Sequence, residues 1–367
     1  MPMQRLLSGL RRLRNAGPLR VGGAAVGLGV ASGLTQGFYL WSLYRPLPEP
    51  RGPLRGVAAY LREKREQHQQ SQQQQPQADE KPKTRTLGPL GAVTLARTTS
   101  RGLERTQSSQ EEPQPRPRKN ILFVGDSLVT GVGCSPDECK GPAMPRACAA
   151  FLAKALRVDV QWAALGQTGA DVAELNKLLP AVKSEVLAAQ ERGGHIDAVV
   201  VICGLNDVKY AYTSLPFGSL RRTANGFKGE LSDFVEALHN ETGVQCAVVL
   251  PSLPVHHAPV FQVPGPFRPI VTTVASWWDD QKVALAERAH ALQSKIQGKR
   301  ICFHGKEEDE DDSWWGRKVY WAADGIHPND EGYRIWGEHI GAGIIKQALL
   351  QGPVTITTAV KRPVNSV

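Results

Sequence analysis

The polar and apolar positions divide this chain into a first third without regular periodicity and a remainder in which strand and helix patterns alternate. From Asn120 onward the run ILFVG (121–125) predicts a buried strand, and PRACAAFLAKAL (145–156) has helical spacing. A second strand follows over 158–166 and an amphipathic helix over 171–190. HIDAVVVICG (195–204) is apolar without alternation, the mark of a strand covered on both faces. A helix over 219–240, strand 245–254, helix 279–296, short strand 300–305 and last helix 331–350 complete the series. Such β-α alternation predicts a parallel sheet wrapped by helices on both faces. In sheets of that kind the working site lies at the carboxyl ends of the strands.

The first third reads differently. Residues 1–20 form a basic segment with five arginines and no acid, and Val21 to Tyr44 are 24 residues without a charge, ending in FYLWSLY. That length suits a single-pass membrane helix with an aromatic belt, so the chain is expected at a membrane through an N-terminal anchor. A cleaved signal peptide or an organelle transit segment are the competing readings. Gly29, Gly33 and Gly37 share one face, which allows helix association. Residues 45–118 read as a disordered, low-complexity tether containing QHQQSQQQQPQ, with a globular domain over 119–352 and a tail over 353–367.

Charge follows the same division. Of the net +9 over 367 residues, positions 1–119 carry 20 Lys and Arg against 8 Asp and Glu, leaving 24 against 27 for the remainder. The basic excess thus lies outside the globular part, and nucleic-acid binding is not expected. Among six cysteines, Cys203, Cys246 and Cys302 sit in apolar runs as small hydrophobes, while Cys134 and Cys139 flank SPDE at a spacing open to a disulfide. No CxxC or Cys/His spacing suggests zinc.

The strand exits carry the chemistry. The first leads into GDSL, the second into GQTGAD, the third into GLND, and ADGIHPNDEGY precedes the last helix. Alone, Asp126 or Ser127 reads as a helix cap. As a nucleophile Ser127 needs a base, and Asp324 and His327, three apart, can orient an imidazole toward it. A developing oxyanion needs donors, for which the backbone N–H groups of Ser127 and Gly169 and the side-chain amide of Asn206 are candidates. By itself Asn206 would be an Asx turn at a strand end. The G-x-S-x-G elbow is absent around Ser127.

GDSL at 125–128, Gly169, GLND at 204–207 and DGIHP at 324–328 resemble, in order, the four blocks of the SGNH/GDSL hydrolases. The resemblance spans roughly Asn120 to Leu350. It implies a flavodoxin-like three-layer α/β/α sandwich and cofactor-free ester hydrolysis, with Ser127, His327 and Asp324 as triad and Ser127, Gly169 and Asn206 as oxyanion hole. GQTGAD departs from the family's more usual asparagine-containing second block, which leaves Gly169 to be distinguished from Gly166.

Other features have plainer readings. EEDEDD (307–312) fits no EF-hand and reads as a solvated loop, and Trp314 and Trp315 suit an acyl-pocket wall or core packing equally. Residues 255–278 read as a long Pro-rich connection suited to a lid, with His256 and His257 a poor metal pair. Asn240 opens a glycosylation sequon. Three functions are weighed: an esterase acting on a small-molecule or lipid ester, an acyltransferase using the same triad, and a non-catalytic module that keeps the fold. Retention of both serine and histidine counts against the third.

Overall fold

A computed structural model describes residues 32–33, 35–37, 39, 45–60, 118–214, 223–243, 245–253, 257–262, 265, 267–293, 300–304 and 318–347. The basic N-terminus, most of the 21–44 segment, the glutamine-rich stretch, the acidic run, Trp314, Trp315, His256 and the tail lie outside these residues. Among the described residues no helix is long and apolar enough to cross a membrane.

Among the described residues six strands form one sheet: β1 (Arg55–Ala58), β2 (Arg118–Gly125), β3 (Asp159–Gly166), β4 (Ala198–Ile202), β5 (Ala247–Pro251) and β6 (Arg300–His304). They lie in the order β1-β3-β2-β4-β5-β6. The last five are parallel, whereas β1 pairs antiparallel with β3 at the edge. Without β1 the order is that of a doubly wound flavodoxin-like sheet, whose crevice opens where neighbouring crossovers diverge, here beside β2. The expected parallel sheet and its layers are therefore present, with one antiparallel strand added.

The helices are α1 (Ser127–Thr130), α2 (Ala143–Leu156), α3 (Leu179–Glu191), α4 (Leu205–Ser214), α5 (Ala224–Thr242), α6 (Phe267–Gln293) and α7 (Asp330–Lys346). Successive β2 side chains alternate between two cores. Ile121 and Phe123 join Ala149 and Leu152 of α2 and Ile340 and Ile344 of α7. Leu122 and Val124 join Val182 of α3, Leu231 of α5 and Leu285 of α6 on the other side. This two-sided burial is why the strand reads as an unbroken apolar run, each such side chain contributing about 1.5–3 kcal/mol.

Two assignments differ from the sequence reading. The stretch 267–278 is the first part of α6, not a loop, because Phe267, Val271 and Trp278 continue the buried face of Leu285 and Ala289. Pro269 falls in the first helical turn, where its missing N–H costs no hydrogen bond. Residues 45–60, assigned by composition to the tether, pack on the domain. β1 pairs with β3 from Arg55↔Ala163 to Ala58↔Val160, and Ala164 N–H donates to Leu54 O at 2.7 Å. The folded unit thus begins well before Asn120.

Candidate active site

The end of β2 settles how Asp126 and Ser127 share the capping position. Asp126 is the N-cap of α1, its Oδ1 accepting the Leu128 N–H at 3.0 Å. Ser127, the first helical residue, is left with a side chain free for another partner. Its Oγ lies 2.9 Å from Nε2 of His327, two hundred positions away.

His327 stands in a turn that holds Asp324 beneath the ring, with Nδ1 2.6 Å from Asp324 Oδ2. The other carboxylate oxygen accepts the N–H groups of Ile326 (2.9 Å) and His327 (3.0 Å). Burial opposes ionisation of Asp324, but the hydrogen bond and charge of His327 and these two N–H groups outweigh it and hold the carboxyl below its ordinary range. The turn is sewn to the serine segment at three points. Tyr333 Oη donates to Val132 O (2.9 Å), Ser135 N–H to Asp330 Oδ2 (2.7 Å), and a Cβ on Gly133 would meet Pro328 O at 2.5 Å.

The second and third exits complete the cluster. Gly169 has φ +84°, and a Cβ there would meet nothing within 4 Å, so its backbone faces open space in a conformation that favours glycine. Gly166 is instead crowded against Thr130, 2.5 Å from where its Cβ would lie. Gly169, not Gly166, thus presents backbone to the cleft. Among the described residues neither the Ser127 nor the Gly169 N–H donates to a protein acceptor.

Asn206 reaches the same place with its donors engaged. Its Nδ2 donates to Ala170 O (3.0 Å) and Asp126 Oδ2 (3.3 Å), while Lys209 Nζ donates to its Oδ1 (2.7 Å). The amide orientation follows from these partners, since the opposite one would set oxygen against oxygen and nitrogen against ammonium. Asp207, fully buried, accepts the Val172 N–H with both oxygens, at 3.2 and 3.4 Å. GLND therefore ties the first and second segments together.

Asp126 is the site residue whose electrostatics the sequence did not signal. Burial raises its pKa from 3.8 to about 6, against the opposing pull of the Leu128 N–H, His327, Lys282 and Lys209. The folded state then holds a proton that the unfolded chain has already lost between those values. Stability is accordingly expected to fall as pH rises from 4 to 6, by on the order of 3 kcal/mol, and to level off above. Urea unfolding across this range checks it: Asp126→Asn should lack that component of the slope, and an unchanged slope would refute the assignment.

The remaining candidates are peripheral. Cys134 is buried, Cys139 is exposed, and both are free thiols in this structure. Burial pushes the Cys134 and Cys203 thiols up to about 12, which suits packing rather than nucleophilic chemistry. His257 sits in the turn before α6, whose Val260 N–H donates to Gly325 O at 3.2 Å. Asn240 is exposed near the end of α5.

The sheet order and the four converging segments fit the SGNH type of hydrolase. The chain belongs to the GDSL-like lipase/acylhydrolase family, whose model matches residues 123–335, and it is a carboxylic ester hydrolase. A comparison with curated protein sequences found no match. Among solved structures, a lipase/acylhydrolase from Enterococcus faecalis is 20% identical with a TM-score of 0.41, the match covering 62% of this chain and 96% of that one. A GDSL-like lipase described as putative, from Parabacteroides merdae, gives 18% and 0.43 over 63% and 96%. An acetylxylan esterase from Geobacillus stearothermophilus gives 16% and 0.40 over 64% and 95%.

Proposed function

We propose that the chain hydrolyses its ester through Ser127, His327 and Asp324, by way of an acyl-enzyme. The observation that carries this is the hydrogen-bonded series Asp324–His327–Ser127, at 2.6 and 2.9 Å, beside two unengaged N–H groups. His327 Nε2 takes the proton of Ser127 as Oγ attacks the carbonyl carbon, and Asp324 stabilises the imidazolium. The carbonyl oxygen, now negative, is received by the N–H groups of Ser127 and Gly169. Asn206 adds a third donor by exchanging its longer bond, the 3.3 Å contact to Asp126, for the oxyanion. His327 then protonates the departing alcohol. Water deprotonated by His327 releases the acid and restores Ser127; an alcohol in place of water would make the same site an acyltransferase.

The substrate class we propose is a lipidic ester met at a membrane. The uncharged segment 21–44 supports an anchor. Its described part touches the domain, Gln36 Oε1 standing 2.7 Å from where a Cβ on Gly265 would be. The test is hydrolysis of p-nitrophenyl esters of increasing chain length. Activity is expected in the membrane fraction for the whole chain and in the soluble fraction for a chain beginning at Arg45. Absence of turnover on every ester would overturn the reaction, and a soluble whole chain would overturn the anchor. Faster loss of acyl-enzyme to added alcohol than to water would select the transferase.

A further inference from the structure

The segment before β1 reaches the oxyanion loop. Because β1 runs antiparallel to β3, the residues preceding it emerge at the carboxyl end of β3, where the second segment begins. The path is held along its length. Tyr60 N–H donates to Asp159 Oδ1 (3.2 Å), Arg55 pairs with the buried Glu185 (3.3 Å), and Gly141 N–H donates to Arg51 O (2.9 Å). Pro50 is buried, its ring 3.1 Å from where a Cβ on Gly131 at the end of α1 would lie. One residue earlier, Glu49 Oε1 accepts the hydroxyl proton of Thr168 at 2.5 Å.

Thr168 directly precedes Gly169, and its Oγ1 also lies 2.9 Å from Thr130 Oγ1 in the nucleophile helix. Each hydroxyl has one proton to give. With that of Thr168 donated to the Glu49 carboxylate, the Thr130 hydroxyl donates to Thr168, and the series Glu49–Thr168–Thr130 links the strap to both sides of the cleft. Thr130 would otherwise turn to Ser127 O, 3.2 Å away.

We infer that Glu49 is a positioning residue, whose carboxylate fixes Thr168 and thereby the Gly169 N–H that receives the oxyanion. The inference rests on the reading of Ser127 given above. The turn is closed by the Ala170 N–H donating to Gln167 O (3.0 Å), with the Tyr210 hydroxyl 3.5 Å from Gly169 O, and the Thr168 hydroxyl tied to Glu49 adds a restraint on the side of the Gly169 N–H. Glu49 lies outside the 123–335 family match, in a stretch whose composition resembles a linker. Its role depends on the fold that brings it back.

The experiment measures kcat and KM for p-nitrophenyl ester hydrolysis on the full chain carrying E49A, E49Q, T168V or E49A/T168V, with S127A alongside. Losing a whole oxyanion donor costs roughly 10²–10³-fold, so a displaced one should cost about tenfold. E49A and T168V are each expected to lower kcat about tenfold with KM within about twofold, and the pair to fall no further than the worse single variant. E49Q, which keeps an acceptor oxygen without the charge, should restore most of the turnover. Wild-type kcat in E49A, multiplying losses in the pair, or a fall confined to thermal stability would each overturn the inference. Full activity in S127A would instead sink the proposed mechanism, whereas an inactive S127A beside an unimpaired E49A would sink the role of Glu49 alone.

Discussion

Replacing Ser127 by alanine is expected to lower ester turnover by about 10⁴–10⁶-fold while leaving the protein folded. The loss follows from removing the atom that attacks: the N–H donors of Ser127 and Gly169 survive, since both belong to the backbone, and only their residual catalysis remains. The cost to the fold is small because the Ser127 hydroxyl contributes one hydrogen bond, to His327, worth about 1 kcal/mol. Asp126, not Ser127, caps α1, so the helix start is kept. Labelling by a fluorophosphonate probe is the direct check. The wild-type protein should label and Ser127→Ala should not; equal labelling of both would mean that another group is the nucleophile.

Asp324→Asn tests the other end of the series and should cost about 10⁴-fold in kcat, with little change in KM. The amide can still place its oxygen where Oδ1 accepts the N–H groups of Ile326 and His327, so the turn is expected to hold. Its NH₂ then faces Nδ1 of His327. That nitrogen must become an acceptor, the ring proton moves to Nε2, and Nε2 can no longer take the proton of Ser127. The substitution therefore changes a tautomer rather than a position. Proton NMR would show loss of the downfield Nδ1–H resonance; a variant that retained both that resonance and wild-type kcat would deny Asp324 its role.

The parts of this protein that could be read in sequence are those whose physics is local. ILFVG and AVVVI are unbroken apolar runs because both faces of β2 and β4 are covered, and that requirement shows wherever it applies. GDSL, GLND and DGIHP were legible because side chains with no packing purpose stood at strand exits. The Asn206 amide, expected as an oxyanion donor, donates in the structure to Asp126 and Ala170, and the longer of these bonds is the one proposed above to be exchanged. Nothing in GLND announces those acceptors, since they come from other strand exits.

The two regions misread had misleading composition. FRPIVTTVASWW is rich in β-branched and aromatic residues with a proline, poor signals for a helix in isolation, yet Phe267, Val271 and Trp278 extend a face that the core requires. RGVA at 55–58 is four residues between prolines and a polar tract, too short to be a strand on its own account. It becomes one because the exposed edge of β3 offers unpaired backbone groups.

By itself the sequence determined the alternation of strands and helices and the burial of the sheet on both faces, and it singled out the side chains proposed to react. Each is set by the spacing of residues within one element or one turn. Only the tertiary structure decided that Ser127 meets His327 across two hundred positions, that Gly166 is crowded where Gly169 is open, and that Glu49 returns to bond Thr168. These depend on which strand edges pair and which loops touch, and such contacts leave no periodicity in the chain that makes them.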